Sequence, residues 1–172
     1  LKNIIEIGSG TGSLIEQIDI KEITAVELSS TARKELIKKG INTHTTIDEL
    51  TTKTSDLIFG NEILDNIPCS IGLYKDEVWY EKVVLFEEAS LAYDLKPMRN
   101  LELDWVNKNN IVPNEDYEFE IQVNIDKFLN SVIKKINPGK ILLFDYGYEQ
   151  QNRDKRMYLS LIHISEPTRP LY

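Results

Sequence analysis

Two groups of residues in this 172-residue chain have types and spacings that could do chemistry. The first is Glu6-Ile-Gly8-Ser-Gly10-Thr-Gly12, directly after the apolar run Ile4, Ile5 and Ile7. Glycine has no Cβ and tolerates positive φ, so a strand ending in alternating glycines can turn sharply and lay its backbone against a ligand. Amides at the start of the following segment point toward that ligand. A second short run, Ile23 to Val26, ends in Glu27. Nucleotide-binding α/β units place an acid at that tip, roughly 20 residues after the glycines, to accept from ribose hydroxyls. A carboxylate suits two neighbouring hydroxyls because each oxygen can take one bond. The plainer alternative for Glu27 is a solvated strand end. Ser13 stands where a dinucleotide fingerprint needs its third glycine, and no lysine follows Gly12 as it would in a phosphate-binding P-loop.

The second group sits at two other strand ends. Asn61-Glu62-Ile-Leu-Asp65-Asn-Ile-Pro68 follows the apolar run to Gly60, and Asp145-Tyr146-Gly147 follows Ile141 to Phe144. Ligands of open α/β sheets lie outside the carboxyl ends of the strands, so these acids are expected near the glycine loop. Carboxylates there can orient N–H donors and take up a proton. Glu62 is the first candidate for such work and Asp65 the second, with Asn61 positioning the cofactor or the turn. The alternatives are structural: Glu62 and Asp65 as the acidic start of a helix, and Asp145 as a turn cap. Asp48 could approach a ligand from the end of the third strand or cap a helix ahead of Glu49. Two histidines and one cysteine supply no zinc set, and Cys69 has no visible base partner.

The elements that must position these groups alternate. Strands are expected over 3–7, 23–28 and 55–60, with a weak one from Ile41. A helix is expected over 12–18, with Leu14, Ile15 and Ile18 on one face, and another over 30–39, opened by Ser29 or Ser30 and stopped by Gly40. Such alternation argues for a parallel sheet with helices. Residues 71–91 read as a β-hairpin arm turning at Lys75-Asp76, with Trp79 and Tyr80 as core. Residues 92–120, polar and carrying Pro97 and Pro113, read as loops and short elements. Asp126 is expected to cap a helix whose stripe of Phe128, Leu129, Val132, Ile133 and Ile136 is core, ended by Asn137-Pro-Gly139. A last buried strand spans 140–147.

Taken together, the E-x-G-x-G-x-G loop, Asn61-Glu-x-x-Asp65-x-x-Pro68, Trp79-x-Glu81 and the Asp145-Tyr-Gly strand resemble the MidA-like family of S-adenosylmethionine-dependent methyltransferases. The likeness covers residues 3 to about 150. It implies a Rossmann-like class I methyltransferase fold (α/β, mostly parallel, with a β-hairpin insertion at about 70–120). It further implies S-adenosylmethionine as cofactor, held by Glu6, Gly8, Gly10, Gly12, Glu27, Asp48 and Asn61. The family includes an arginine methyltransferase of mitochondrial complex I assembly, so the resemblance implies a protein arginine as acceptor, a complex I subunit among the candidates, with Glu62, Asp65 and Asp145 as catalytic carboxylates. Rival readings are methylation of another acceptor, or a cofactor-binding assembly or scaffold protein without turnover.

Composition bounds these readings. At 41% hydrophobic and 28% charged residues, the chain is one ordinary globular domain's worth. A net charge of −8 argues against general nucleic-acid binding, and no apolar run reaches membrane-spanning length. The single cysteine fits a reducing compartment, and the resemblance implies the cytoplasm in a bacterium or the mitochondrial matrix in a eukaryote. Leu1 close before the glycine loop suggests a missing N-terminal segment. Residues 151–172 resemble translated sequencing-adapter read-through and are set aside as a non-native or disordered tail, leaving 1–150 as the methyltransferase core. A sheet truncated after its fifth strand is expected to be poorly stable and weakly active.

Overall fold

The computed structural model describes residues 3–18, 22–51, 55–87 and 89–146. In chain order its elements are β1 (Ile4–Ile7), β2 (Ile23–Val26), α1 (Ser30–Lys38), β3 (Asn42–His44), β4 (Ser55–Asn61), β5 (Ser70–Lys75), β6 (Val78–Glu87), β7 (Ser90–Pro97), α2 (Asn100–Lys108), β8 (Glu118–Ile121), α3 (Val123–Ile133) and β9 (Ile136–Phe144). Single 3₁₀ turns lie at Ile15–Gln17, Ile47–Glu49 and Leu64–Asn66.

Five strands form a Rossmann-like sheet in the order β3-β2-β1-β4-β9, every pair parallel. All four residues of β1 are buried, as befits a strand covered on both faces. Alternation sends Ile4 to one face with Ile23, Ala25, Leu36 and Phe59. Ile5 and Ile7 go to the other, with Val26, Ile58 and Val132. Leu36 belongs to α1 and Val132 to α3, so helices cover both faces. Ser29 caps α1 by accepting from the Ala32 amide, and the helix ends as a Schellman turn. There Gly40 (φ +78°) donates to Ile37, and Ile41 donates to Leu36 and joins the same core.

Four expectations need correction. The helix over 12–18 is only the 3₁₀ turn Ile15–Gln17, because so few residues cannot offset the cost of nucleating an α-helix. The arm and the supposed loops form a second, antiparallel sheet in the order β7-β6-β5-β8, with α2 packed on it through Met98, Val106, Phe119 and Ile121. Asp76 and Glu77, both at positive φ, make the tight turn between β5 and β6 where a turn was expected. Asp126 does not cap α3, which begins at Val123; its carboxylate pairs instead with Lys108, 3.0 Å away. Finally, Pro138-Gly139 does not close α3. It lies inside β9 at a register shift, where Ser55 pairs with Ile136 but Leu57 already pairs with Lys140. Trp79 packs edge-on against Tyr74 and Phe119, as core. No helix among the described residues is long and apolar enough to cross a membrane.

Candidate active site

The strand order reverses direction between β1 and β4, and the chain's catalytic candidates gather at that switch point. Gly10 and Gly12 adopt φ of +52° and +86°. A Cβ on Gly12 would lie 2.7 Å from Leu36 Cδ2, so only glycine lets the loop rest on the core there. A Cβ on Gly10 would meet nothing within 4 Å, which leaves that stretch of backbone open to a ligand. The Gly8 amide donates to the Val26 carbonyl at 2.8 Å, and the Gly12 amide to Ser9 at 2.9 Å. Lys39 braces the loop from outside, donating to the Thr11 carbonyl at 2.8 Å.

Glu27 locks the loop to the tip of β2. One carboxylate oxygen accepts from the Gly10 amide at 2.8 Å, the other from the Ser29 amide at 2.7 Å. Each oxygen keeps a second lone pair. Arg33 holds the same tip by donating to the carbonyls of Glu27 and Leu28, both at 2.7 Å. Glu6 is buried and its Oε2 has no hydrogen-bond partner among the described residues. Burial pushes its carboxyl above the ordinary range, the bond with Ser9 opposing this.

A cavity of about 580 Å³ opens along these strand ends. Its wall runs from Ile7-Gly8 through Val26, Glu27 and Leu28 to Thr45, Thr46, Ile47 and Asp48, then to Glu62, Ile63, Asn66 and Ile67. Lys127, Phe128 and Ser131 of α3 complete it. The structure therefore brings Gly8, Glu27, Asp48 and Glu62 together on one wall. Asn61 is exposed at the end of β4, outside that wall. Asp48 sits within the 3₁₀ turn and faces the Ser131 hydroxyl at 3.4 Å.

On the acid-rich side, Glu62 is exposed at φ +50°, a conformation that costs a non-glycine residue about 1–3 kcal/mol. Its amide donates to the Phe144 carbonyl at 2.8 Å. Asp145 takes the turn-capping alternative: Oδ2 accepts from the amides of Ile63 (3.1 Å) and Leu64 (2.7 Å), and Oδ1 from Tyr146. Asp65 accepts from the Tyr146 hydroxyl at 2.6 Å and the Asn66 amide at 2.8 Å. Among the described residues, no group of three His, Cys, Asp or Glu side chains could hold a metal ion.

The chain matches, over residues 2–167, the model of a family of S-adenosyl-L-methionine-dependent methyltransferases. The chain belongs to this family. The resemblance drawn from its motifs pointed the same way. The methyltransferase match runs beyond residue 150 into the segment set aside as a tail, and that segment lies outside the described residues. Two crystal structures of superfamily members from Burkholderia thailandensis share the fold. One, bound to S-adenosyl-homocysteine, is 20% identical with a TM-score of 0.70; the other, a native form, is 21% identical at 0.71. They cover 86% and 88% of this chain, whereas it spans 42% and 45% of theirs, less than half of each. No curated protein matches the chain.

The family's cofactor suits this site on three observations. The cavity is large enough for a nucleoside with an amino-acid tail. Glu27 stands on its wall with a lone pair to spare on each oxygen, and the Gly10 backbone bonded to Glu27 has nothing within 4 Å of where a Cβ would lie. Sequence reading missed Thr45, Thr46, Lys127, Phe128 and Ser131. The threonines follow the third strand, where the strand-end rule could have found them. Phe128 was hidden because it also packs in the core.

Proposed function

We propose that this chain is the cofactor-binding and catalytic part of a methyltransferase acting on a protein arginine. The observation that carries the reading is the cavity wall itself. It begins at the glycine loop and Glu27 and ends at Glu62 and Asn66, with Asp65 one residue away. Gly8, Gly10 and Glu27 would hold the ribose and methionine parts, Glu6 and Gly12 would shape the loop under them, and Asp48 would stand toward the base. When bound, the cofactor supplies a sulfonium methyl group: an N–C bond forms as the S–C bond breaks, and S-adenosylhomocysteine leaves.

The protein's part is alignment of the acceptor with that methyl group. A guanidinium is a poor nucleophile because its lone pairs are delocalised and its pKa exceeds about 12. Carboxylates at the cavity edge hold its N–H groups by paired bonds and receive the proton that the methylated nitrogen sheds. Glu62 is suited to this contact because its side chain is exposed on the wall. Asp145 acts through the backbone by fixing the 62–66 turn. The partner is a protein exposing an arginine, a respiratory complex I subunit being one candidate. The compartment is the cytoplasm in a bacterium or the mitochondrial matrix in a eukaryote.

The test is transfer of labelled methyl from S-adenosylmethionine to a panel of arginine-bearing proteins, followed by mass spectrometry of the modified residue. Methylarginine formed by wild type and lost in Glu62→Gln, with S-adenosylhomocysteine still bound, is expected. Methyl on another residue type, or none with the cofactor bound, would refute the arginine assignment.

A further inference from the structure

Asp65, the second acid of the 62–66 turn, has its carboxylate held by two donors. Tyr146, beyond the end of β9, donates its hydroxyl to Asp65 Oδ2 at 2.6 Å. Asn66, on the cavity wall, donates its amide to Asp65 Oδ1 at 2.8 Å and to the Glu62 carbonyl at 3.0 Å. The adjacent Asp145 grips the same turn through the amides of Ile63 and Leu64. The 62–66 turn is therefore clamped from β9 at two levels, backbone by Asp145 and side chain by Tyr146.

Resting on the methyltransferase reading, we infer that Tyr146 is a positioning residue that fixes the plane of the Asp65 carboxylate for the methyl acceptor. Two neutral donors, one on each oxygen, fix the plane of the carboxylate and leave one lone pair per oxygen. A pair of fixed acceptors suits a planar donor with two N–H groups better than a point-like ammonium. Tyr146 can serve as a permanent donor, since its phenol is pushed up to about 12. The bond to Asp65 is the main cause, with the charges of Asp65, Asp145 and Glu62 adding to it. The charged groups facing Tyr146 are Asp65, Asp145 and Glu62, and Lys127 of α3 lies on the cavity wall with Glu62 and Asn66. Tyr146 is exposed, so removing its hydroxyl leaves the core untouched.

The experiment compares wild type with Tyr146→Phe in the full chain. S-adenosylhomocysteine binding should stay within twofold. The kcat for methyl transfer should fall about tenfold with acceptor KM nearly unchanged, and Tyr146→Phe combined with Asp65→Asn should lose no more than Asp65→Asn alone, as two residues acting through one contact do. The side-chain ¹³C relaxation of Asp65, which needs no turnover, should show its carboxylate released from a fixed orientation. Unchanged Asp65 relaxation, or undiminished transfer, overturns the inference. If wild type binds S-adenosylhomocysteine yet methylates nothing, the functional reading fails by itself, and the Asp65 relaxation alone decides whether Tyr146 positions that carboxylate.

Discussion

Removing the Glu27 carboxylate should separate cofactor binding from folding, and its geometry sets the size of each effect. The carboxylate accepts two charge-assisted backbone bonds, at 2.8 Å from Gly10 and 2.7 Å from Ser29. Such bonds contribute about 1.5–3 kcal/mol each when shielded, but Glu27 is half-buried and water can replace it. Glu27→Ala should therefore cost about 2 kcal/mol of stability, a loss that a domain of this size survives. Cofactor binding should lose more. Two ribose hydroxyls on the spare lone pairs account for about 3 kcal/mol, or roughly 100-fold in Kd, and the freed Gly10 amide no longer fixes the loop. Glu27→Gln keeps one acceptor oxygen but turns an NH₂ group toward one of the two amides, so it should fall between wild type and alanine. Calorimetric titration with S-adenosylhomocysteine, beside urea unfolding of each variant and NAD as a control ligand, measures both quantities. A cooperatively folded Glu27→Ala that binds within threefold of wild type would refute the reasoning.

The glycine loop and the buried acid give further expectations. Gly12→Ala combines an unfavourable φ with a Cβ placed 2.7 Å from Leu36 Cδ2, so it should cost about 3 kcal/mol, whereas Gly10→Ala, open within 4 Å, should cost about 1 kcal/mol. Equal urea midpoints for the two would contradict that account. Glu6→Gln should raise stability at neutral pH by on the order of 1 kcal/mol, since an ionised carboxylate is removed from a buried site. The folded state holds this carboxyl above its ordinary 4.5, so its stability is fullest below that value and declines as pH rises through the folded pKa. The advantage of glutamine should therefore appear only above about pH 4.5 and then level off; thermal melts across that range check it.

What the sequence disclosed was what depends on local spacing. Glycines at 8, 10 and 12 and an acid at 27 carry their meaning in backbone conformation and strand length, and the structure ties them directly through the Glu27–Gly10 bond. The second sheet was obscured for a physical reason. In α2 the acid Glu102 is buried, paired with Arg99, while Leu101 is half-exposed, so the amphipathic pattern is inverted. Pro97 closes edge strand β7 and so breaks no ladder, which made a strand look like a loop. Tyr146 was noted only as part of a strand end, without a role, because its partner, Asp65, is 81 positions away. No spacing rule connects the two.

That separation has a consequence for how the molecule comes into being. β4 and β9 are neighbours in the sheet, yet the bonds from Ile63 and Leu64 to Asp145 span 82 and 81 positions. Closing a loop of about that length costs on the order of 4 kcal/mol in chain entropy before any contact repays it. The glycine loop, Glu27 and the Ser29 cap lie within about 20 positions of one another, so they close over a far shorter loop. The bonds that order the turn carrying Glu62 and Asp65 form only after α3 and β9 have emerged, and fraying of β9 would remove them first.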